Sequence, residues 1–443
     1  MKRIFGVVII ALVLAVGAYW LWTYQNSDEL PDAPDTVLID AQYQHPTLVL
    51  DVIPQAAAAD LEIAVDPQLD YQLNREEGRI ELVLQEGGWE QGLEYTLTAS
   101  LPDDGFALDA PFVYTFTTPE EMAFDLVAVG DVMLAQLTSE HLQDYDVNYP
   151  LAKIADITSS GDLNFANLEC PISQRGEPAD KKYVFRAQPF TVEVLKQGGF
   201  NAVSLANNHV LDYGPQALLD TMALLDQEEI GHVGAGANEE QARQELVLDI
   251  NGLKVALLAY TRPAPASEYP QWAAGPDKPG TVFHQDRERM LDDVARARDK
   301  ADILIVSMHW GNEYTHGVTD GQRELGHLLI DNGVDLVLGH HPHAPQGIEI
   351  YKDKPIVYSL GNFLFYPFSM EITEETYILR ARIGQGGVEE MRLLPVLLGD
   401  SQPYVPDDSE LERMHTVLAG LLTEFGTDYS LQEEELVLDF SEK

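Results

Sequence analysis

"VDLVLGHHPHAPQG", residues 334–347, is an apolar run that ends on three histidines in four positions, His340, His341 and His343. The whole chain has only 12 histidines. Apolar runs of this length, bounded by a turn residue, read as strands. His341 and His343 stand two residues apart at such a strand end and can point to the same side.

The pattern recurs outward from this stretch. "FDLVAVG" is followed by Asp131, and "DLNFAN" leads to Glu169. "NAVSLA" leads to Asn207, Asn208 and His209, and "DILIVSM" to His309, Trp310, Gly311 and Glu313. "LKVALLAY" and "PIVYSLG" are further strand candidates. Helical stretches lie between them: "PFTVEVLKQGG", "PQALLDTMALLDQEEI", "DRERMLDDVARARDKA" and "QRELGHLLIDNG". This alternation predicts an α/β domain over 122–399, with helices covering a sheet. In open α/β sheets a site lies outside the carboxyl ends of the strands. Five strands therefore deliver Asp, Glu, Asn and His side chains to one edge. These are nitrogen and oxygen ligands suited to Mn²⁺, Fe²⁺ or Zn²⁺. Two such ions would clamp the attacking and leaving oxygens of a hydrolytic reaction.

Each residue alone has a plainer reading. Asp131 could cap the next helix, Glu169 could be a surface carboxylate, and His209 a hydrogen-bonded core histidine. Trp310 and Tyr314 could be packing residues or a pocket wall. Cys170, the single cysteine, reads as a small buried hydrophobe. The joint pattern is more specific than its parts.

Charge sets limits on partners. Against 27 Lys+Arg stand 73 Asp+Glu, a formal net charge of -46. This excludes nucleic acid as a partner, because phosphate contacts need cations. Both a solubilising surface and a cation-gathering one fit the balance.

At the N-terminus, Lys2 and Arg3 precede residues 4–22, which carry no charge. At about 1.5 Å per helical residue this run spans a bilayer core. Tyr19, Trp20, Trp22 and Tyr24 stand at its outer end, where aromatic rings favour the interface. The expectation is a retained single-pass anchor over 1–24, N-terminus cytoplasmic and bulk of the chain extracellular. A cleaved signal peptide is the alternative. Residues 25–36 read as a linker. Over 37–119, short alternating runs such as "TLVLDVIP", "RIELVLQ" and "FVYTFTT" predict a small all-β sandwich that resembles bacterial Ig-like domains. Residues 400–443 read as an acidic tail with one helix.

Residues 124 to about 397 carry a family resemblance. "VGDVMLAQ", "NFANLECPIS", "YVFRAQP", "FNAVSLANNHVLDYG", "MHWGNEY" and "GVDLVLGHHPHAPQGIEIYKDKPIVYSLGNFLF" occur in the order seen in the CapA/PgsA family of membrane-anchored poly-γ-glutamate capsule biosynthesis proteins. That family looks like a branch of the calcineurin-like metallophosphoesterases. The resemblance implies a two-sheet α/β sandwich with a dinuclear metal site. It implies Asp131, Glu169, Asn208, His309, His341 and His343 as metal ligands, and His209 as catalytic acid/base. Asn207 and Glu313 are further catalytic candidates. Arg186 and Trp310 are candidates for substrate binding, Arg186 alternatively for a structural salt bridge. Met133 stands where phosphoesterases place a metal-binding histidine, and a thioether is a poor ligand for hard ions. Glu313 or His340 could rebuild that position. The implied role is synthesis, export or attachment of an anionic polymer, through metal-activated water or hydroxide acting on a phosphoryl or amide oxygen. A non-catalytic scaffold in a polymer synthase complex is the alternative.

Overall fold

The computed structural model describes residues 38–440 apart from 45–46, 54, 67–70, 77, 85–91, 102–107, 109–110, 118–121, 136–146, 263–269, 366–369 and 400–401. The expected anchor (1–24) and linker (25–36) lie outside the described residues. Among the described residues no helix is long and apolar enough to cross a membrane.

The chain divides into two units, Met1–Glu120 and Glu121–Lys443. The described part of the first is all-β. Its strands are β1 (Leu38–Gln44), β2 (Thr47–Ile53), β3 (Glu62–Asp66), β4 (Tyr71–Glu76), β5 (Arg79–Leu84), β6 (Glu94–Ser100) and β7 (Phe112–Thr117). They form two antiparallel sheets, ordered β1-β2-β5-β4 and β3-β6-β7. Alternation in β6 buries Tyr95, Leu97 and Ala99. They share one core with Leu48, Leu50, Ile80 and Leu82 of the other sheet.

The second unit is mixed α/β, as expected, with two large sheets. In the first sheet β8 (Ala123–Val132), β9 (Leu163–Leu168), β10 (Ala202–Ser204) and β11 (Gly231–Val233) run parallel. On the far side of β8 the sheet continues antiparallel through Glu375–Gly384, Gly387–Gly399 and Glu435–Asp439 to Ser430–Gln432. The short strand Asn362–Leu364 pairs with the end of β8. In the second sheet Leu246–Ile250 pairs antiparallel with Leu253–Thr261. Beyond it Ile303–His309, Leu336–His340 and Lys354–Val357 run parallel.

The uninterrupted apolar runs are explained by burial on both faces. In Leu253–Thr261, Val255, Leu257 and Ala259 face the other sheet, while Ala256, Leu258 and Tyr260 face helices. Ile303 and Ile305 point inward, and Leu304, Val306 and Met308 outward. The inter-sheet core joins these to Phe124, Leu126, Ala128 and Phe165 of the first sheet. Helices Val192–Gln197 and Gly214–Gln227 contribute to the outer core of the first sheet. Helices Arg287–Arg298 and Asp320–Asp331 do so for the second. All four answer to predicted helical stretches.

The stretch expected as an acidic tail differs. It carries the helix, Asp408–Glu424, but also strands that pair into the first sheet. Leu436, Val437 and Leu438 are buried, and burying them draws this segment into the sheet despite its acidic flanks.

Candidate metal centre

The predicted ligands converge where the carboxyl ends of strands from both sheets meet. Inward parity along Ile303–His309 carries from Ile303 and Ile305 to His309, and along Leu336–His340 from Leu336 and Leu338 to His340. Asp131 needs a register change to join them. Ala128 pairs with Phe165, but Asp131 pairs with Asn167, so three residues of β8 advance against two of β9. This bulge reverses the parity of β8. Val129 and Val132 both face the outer core, and Asp131 turns to the site. Gly130 lies inside the bulge. A Cβ there would stand 2.0 Å from the carbonyl oxygen of Gly361, so only glycine admits this backbone approach.

Asp131 is fully buried. Its Oδ1 accepts from Asn167 Nδ2 at 2.8 Å, and its Oδ2 from the backbone of His341 at 3.3 Å. His340 Nδ1 and His343 Nδ1 lie 3.4 and 3.3 Å from its oxygens. Burial works to raise its pKa, but these two histidines beside it outweigh burial and hold the carboxyl well below its ordinary value. Glu169 is the opposite case. Burial and the neighbouring Asp131 charge push it well above the usual range. Neither of its oxygens has a hydrogen-bond partner among the described residues, although His309 Nε2 stands 3.5 Å from Oε1.

Asn208 Oδ1 lies 2.8 Å from His309 Nε2. Burial first, and then the charge of a neighbouring histidine, lowers His309 and His341 well below the ordinary imidazole value. Both are therefore neutral lone-pair donors at pH 7. His343 is raised, because Asp131 and Asn362 outweigh its burial; Asn362 Oδ1 is 2.8 Å from its Nδ1. His341 and His343 have φ of 98° and 55°. Left-handed backbone is strained for such residues, and strain of this kind clusters at functional sites.

Among the described residues, three groups of side chains offer ligand atoms within 4.8 Å of one another: Glu169, His309 and His341; Asp131, Glu169 and His343; and Glu313, His341 and His343. The donor set fits a divalent ion. A buried carboxylate with no hydrogen bond is costly unless a cation compensates it, and Glu169 is such a group.

His209 sits beside this cluster. Its Nδ1 is 2.7 Å from Asp212 Oδ2, and its backbone N–H donates to Asn207 Oδ1 at 3.0 Å. Burial lowers its pKa, with Asp212 opposing. Lys181 Nζ donates to the Asn208 carbonyl at 2.7 Å and pairs with Asp212. Asn207 is a bracket, not an open group: it is fully buried and donates to Asn167 Oδ1 at 3.1 Å and to the Leu168 carbonyl at 2.8 Å.

Two expected substrate contacts take other roles. Trp310 follows inward-facing His309 by one residue, so it points to the opposite face of its sheet. It is buried in the helix-side core, with Nε1 donating to the Tyr358 carbonyl at 2.9 Å. That is the packing alternative. Arg186 donates to the carbonyls of Arg175 and Gly176 at 3.1 and 3.3 Å and lies 4.0 Å over the Tyr213 ring. These contacts fasten its own loop. Met133 is buried among apolar residues, as is Cys170.

Sequence reasoning missed Asn167, Lys181, Asp212 and Asn362. Asn167 ends "DLNFAN" and Asn362 directly follows "YSLG", so the strand-end rule applied to every polar residue would have found both. Lys181 carries no such signal.

The family model for "Bacterial capsule synthesis protein PGA_cap" matches residues 125–367. The capsule biosynthesis protein CapA of Bacillus anthracis is 28% identical over 302 residues, covering 66% of this chain and 72% of that protein. The PGA biosynthesis protein CapA of Bacillus subtilis (strain 168) is 27% identical over 314 residues, covering 70% and 81%. A probable polyglutamine synthesis accessory protein of Mycobacterium tuberculosis is 37% identical over 246 residues, covering 53% and 64%. With candidate ligands at the strand ends and a family match over residues 125–367 that reaches into both sheets, the chain belongs to the PGA_cap family of bacterial capsule synthesis proteins.

Proposed function

We propose that this protein is a single-pass, membrane-anchored, extracytoplasmic hydrolase or transferase that depends on a divalent metal. It acts in synthesis, export or attachment of an anionic capsular polymer, poly-γ-glutamate, on a calcineurin-like domain carried beyond an Ig-like spacer. The charge-free run over 4–22 behind Lys2 and Arg3 supports the anchor. The CapA relatives support the polymer, and the relative named as an accessory protein supports a place beside synthase subunits.

The observation that carries the reading is the buried Glu169 carboxyl group, without a hydrogen bond among the described residues and gathered with His309, His341 and Asp131. Asp131, Glu169, Asn208, His309, His341 and His343 would hold the metal, which when bound supplies charge that polarises a phosphoryl or amide oxygen and acidifies water. His209 handles the proton. Asp212 accepts from Nδ1–H and so leaves the Nε2 lone pair for proton transfer. Elemental analysis of the purified chain, beside a His341→Ala/His343→Ala variant, tests this. Near-stoichiometric metal that the variant loses supports the reading, and phosphoester and γ-glutamyl substrates are then screened. No metal in a wild-type protein that is folded sinks it.

The burial of Met133 in an apolar cluster favours a second reading, a metal-stabilised scaffold within a polymer synthase complex. His209→Ala separates the two. A scaffold keeps its complex and biological activity, whereas an enzyme loses turnover.

A further inference from the structure

Tyr314 lies five residues beyond His309, on the loop that carries Glu313. Its φ is 60°, a left-handed conformation that is a genuine outlier for a bulky side chain. Such strain persists only where surroundings enforce it. The enforcing contacts are visible. The Tyr314 N–H donates to the Pro342 carbonyl at 2.8 Å, between His341 and His343. The ring stacks on His343 with centroids 5.8 Å apart and planes 25° apart. The side chain is half-buried. A phenol is neutral at pH 7 and its hydroxyl can donate, and the stack on His343 sets this side chain beside the ligand cluster.

We propose that Tyr314 is a substrate-binding residue whose phenolic O–H donates a hydrogen bond to an anionic oxygen of the substrate at the ligand cluster. This rests on the function proposed above and names what it recognises: a phosphate or carboxylate oxygen next to the bond that reacts. Phenylalanine would supply the same ring stack on His343, so packing does not account for the hydroxyl. Glu313, its neighbour in sequence, gathers with His341 and His343.

The test titrates inorganic phosphate into the full chain and its Tyr314→Phe variant by calorimetry, with and without Mn²⁺, and measures Mn²⁺ affinity separately. Tyr314→Phe keeps the ring and removes only the hydroxyl. The expected result is unchanged Mn²⁺ affinity and a loss of about tenfold in phosphate affinity, as for one hydrogen bond to a charged group. Phosphate affinity within twofold of wild type overturns the inference. So does a wild-type protein without phosphate affinity in either condition. A wild type that binds phosphate but not Mn²⁺ sinks the metal reading alone, and the metal-free titration still decides the role of Tyr314.

Discussion

The Asp212 carboxylate holds His209 and Lys181 at once: His209 Nδ1 lies 2.7 Å from Oδ2, and Lys181 Nζ pairs with Oδ1. Asp212 is fully buried and the Lys181 side chain is 9% exposed. Burial lowers Lys181 below its ordinary pKa against the pull of Asp212. One carboxylate therefore orients the imidazole and compensates a buried ammonium.

Removing that carboxylate leaves Lys181 buried without its counter-charge. Asp212→Ala is expected to destabilise the protein by about 3–5 kcal/mol, read by urea unfolding. Adding Lys181→Met should recover much of the loss, because the two substitutions are coupled. Under the proposed mechanism the single variant also loses about 10²–10⁴ in turnover.

Glu169 should make the metal-free protein lose stability as pH rises. Its folded pKa lies well above the ordinary carboxyl value. Above about 4.5 the unfolded carboxyl gives up its proton while the folded one keeps it, so the folded state binds more protons and stability falls with pH. His309, lowered by burial, acts the other way: its contribution is lost as pH falls below about 6.5. Comparing chelator-treated wild type with Glu169→Gln isolates the carboxylate. The variant is expected to gain on the wild type as pH rises above about 4.5 in thermal unfolding. Equal slopes would refute the assignment.

Gly130→Ala should break the site from the backbone outward. The added methyl would meet the Gly361 carbonyl oxygen at 2.0 Å, and neither strand can yield without undoing the bulge that aims Asp131. The expected outcome is a loss of about 3 kcal/mol or more together with loss of divalent metal, checked by unfolding and elemental analysis. Gly386→Ala is the control, since nothing lies within 4 Å of its added methyl.

Trp310→Ala is expected to cost about 3–5 kcal/mol through the cavity it leaves, without weakening metal or anion affinity in protein that remains folded. Trp310→Phe should cost less, chiefly the hydrogen bond to Tyr358. Weakened anion affinity in a fully folded Trp310→Phe variant would return this residue to the substrate site.

Much of the candidate site was legible because strands buried on both faces are uniformly apolar. Polar residues can resume only where a strand leaves the core, so Glu169, His309 and His340 mark strand ends in the sequence itself. Roles on the far side of that boundary were not legible. Trp310 and His309 are neighbours in sequence and face opposite layers, and only the inward or outward parity of the strand tells them apart. Lys181 reaches Asn208 from 27 residues upstream, through a loop with no periodic pattern to place it.

The sequence by itself determined the alternation of strands and helices, the ligand chemistry at the strand ends and the family, because each depends on residue type and local spacing. The tertiary structure decided that the candidate ligands come from two facing sheets rather than from one edge. It also decided that Asp131 turns inward through a bulge, and that residues 435–439 pair into the first sheet instead of trailing as a tail. These depend on pairing between distant segments, where a shift of one residue exchanges the faces of a strand. No local pattern encodes that choice. It is set when the two sheets bury their common core.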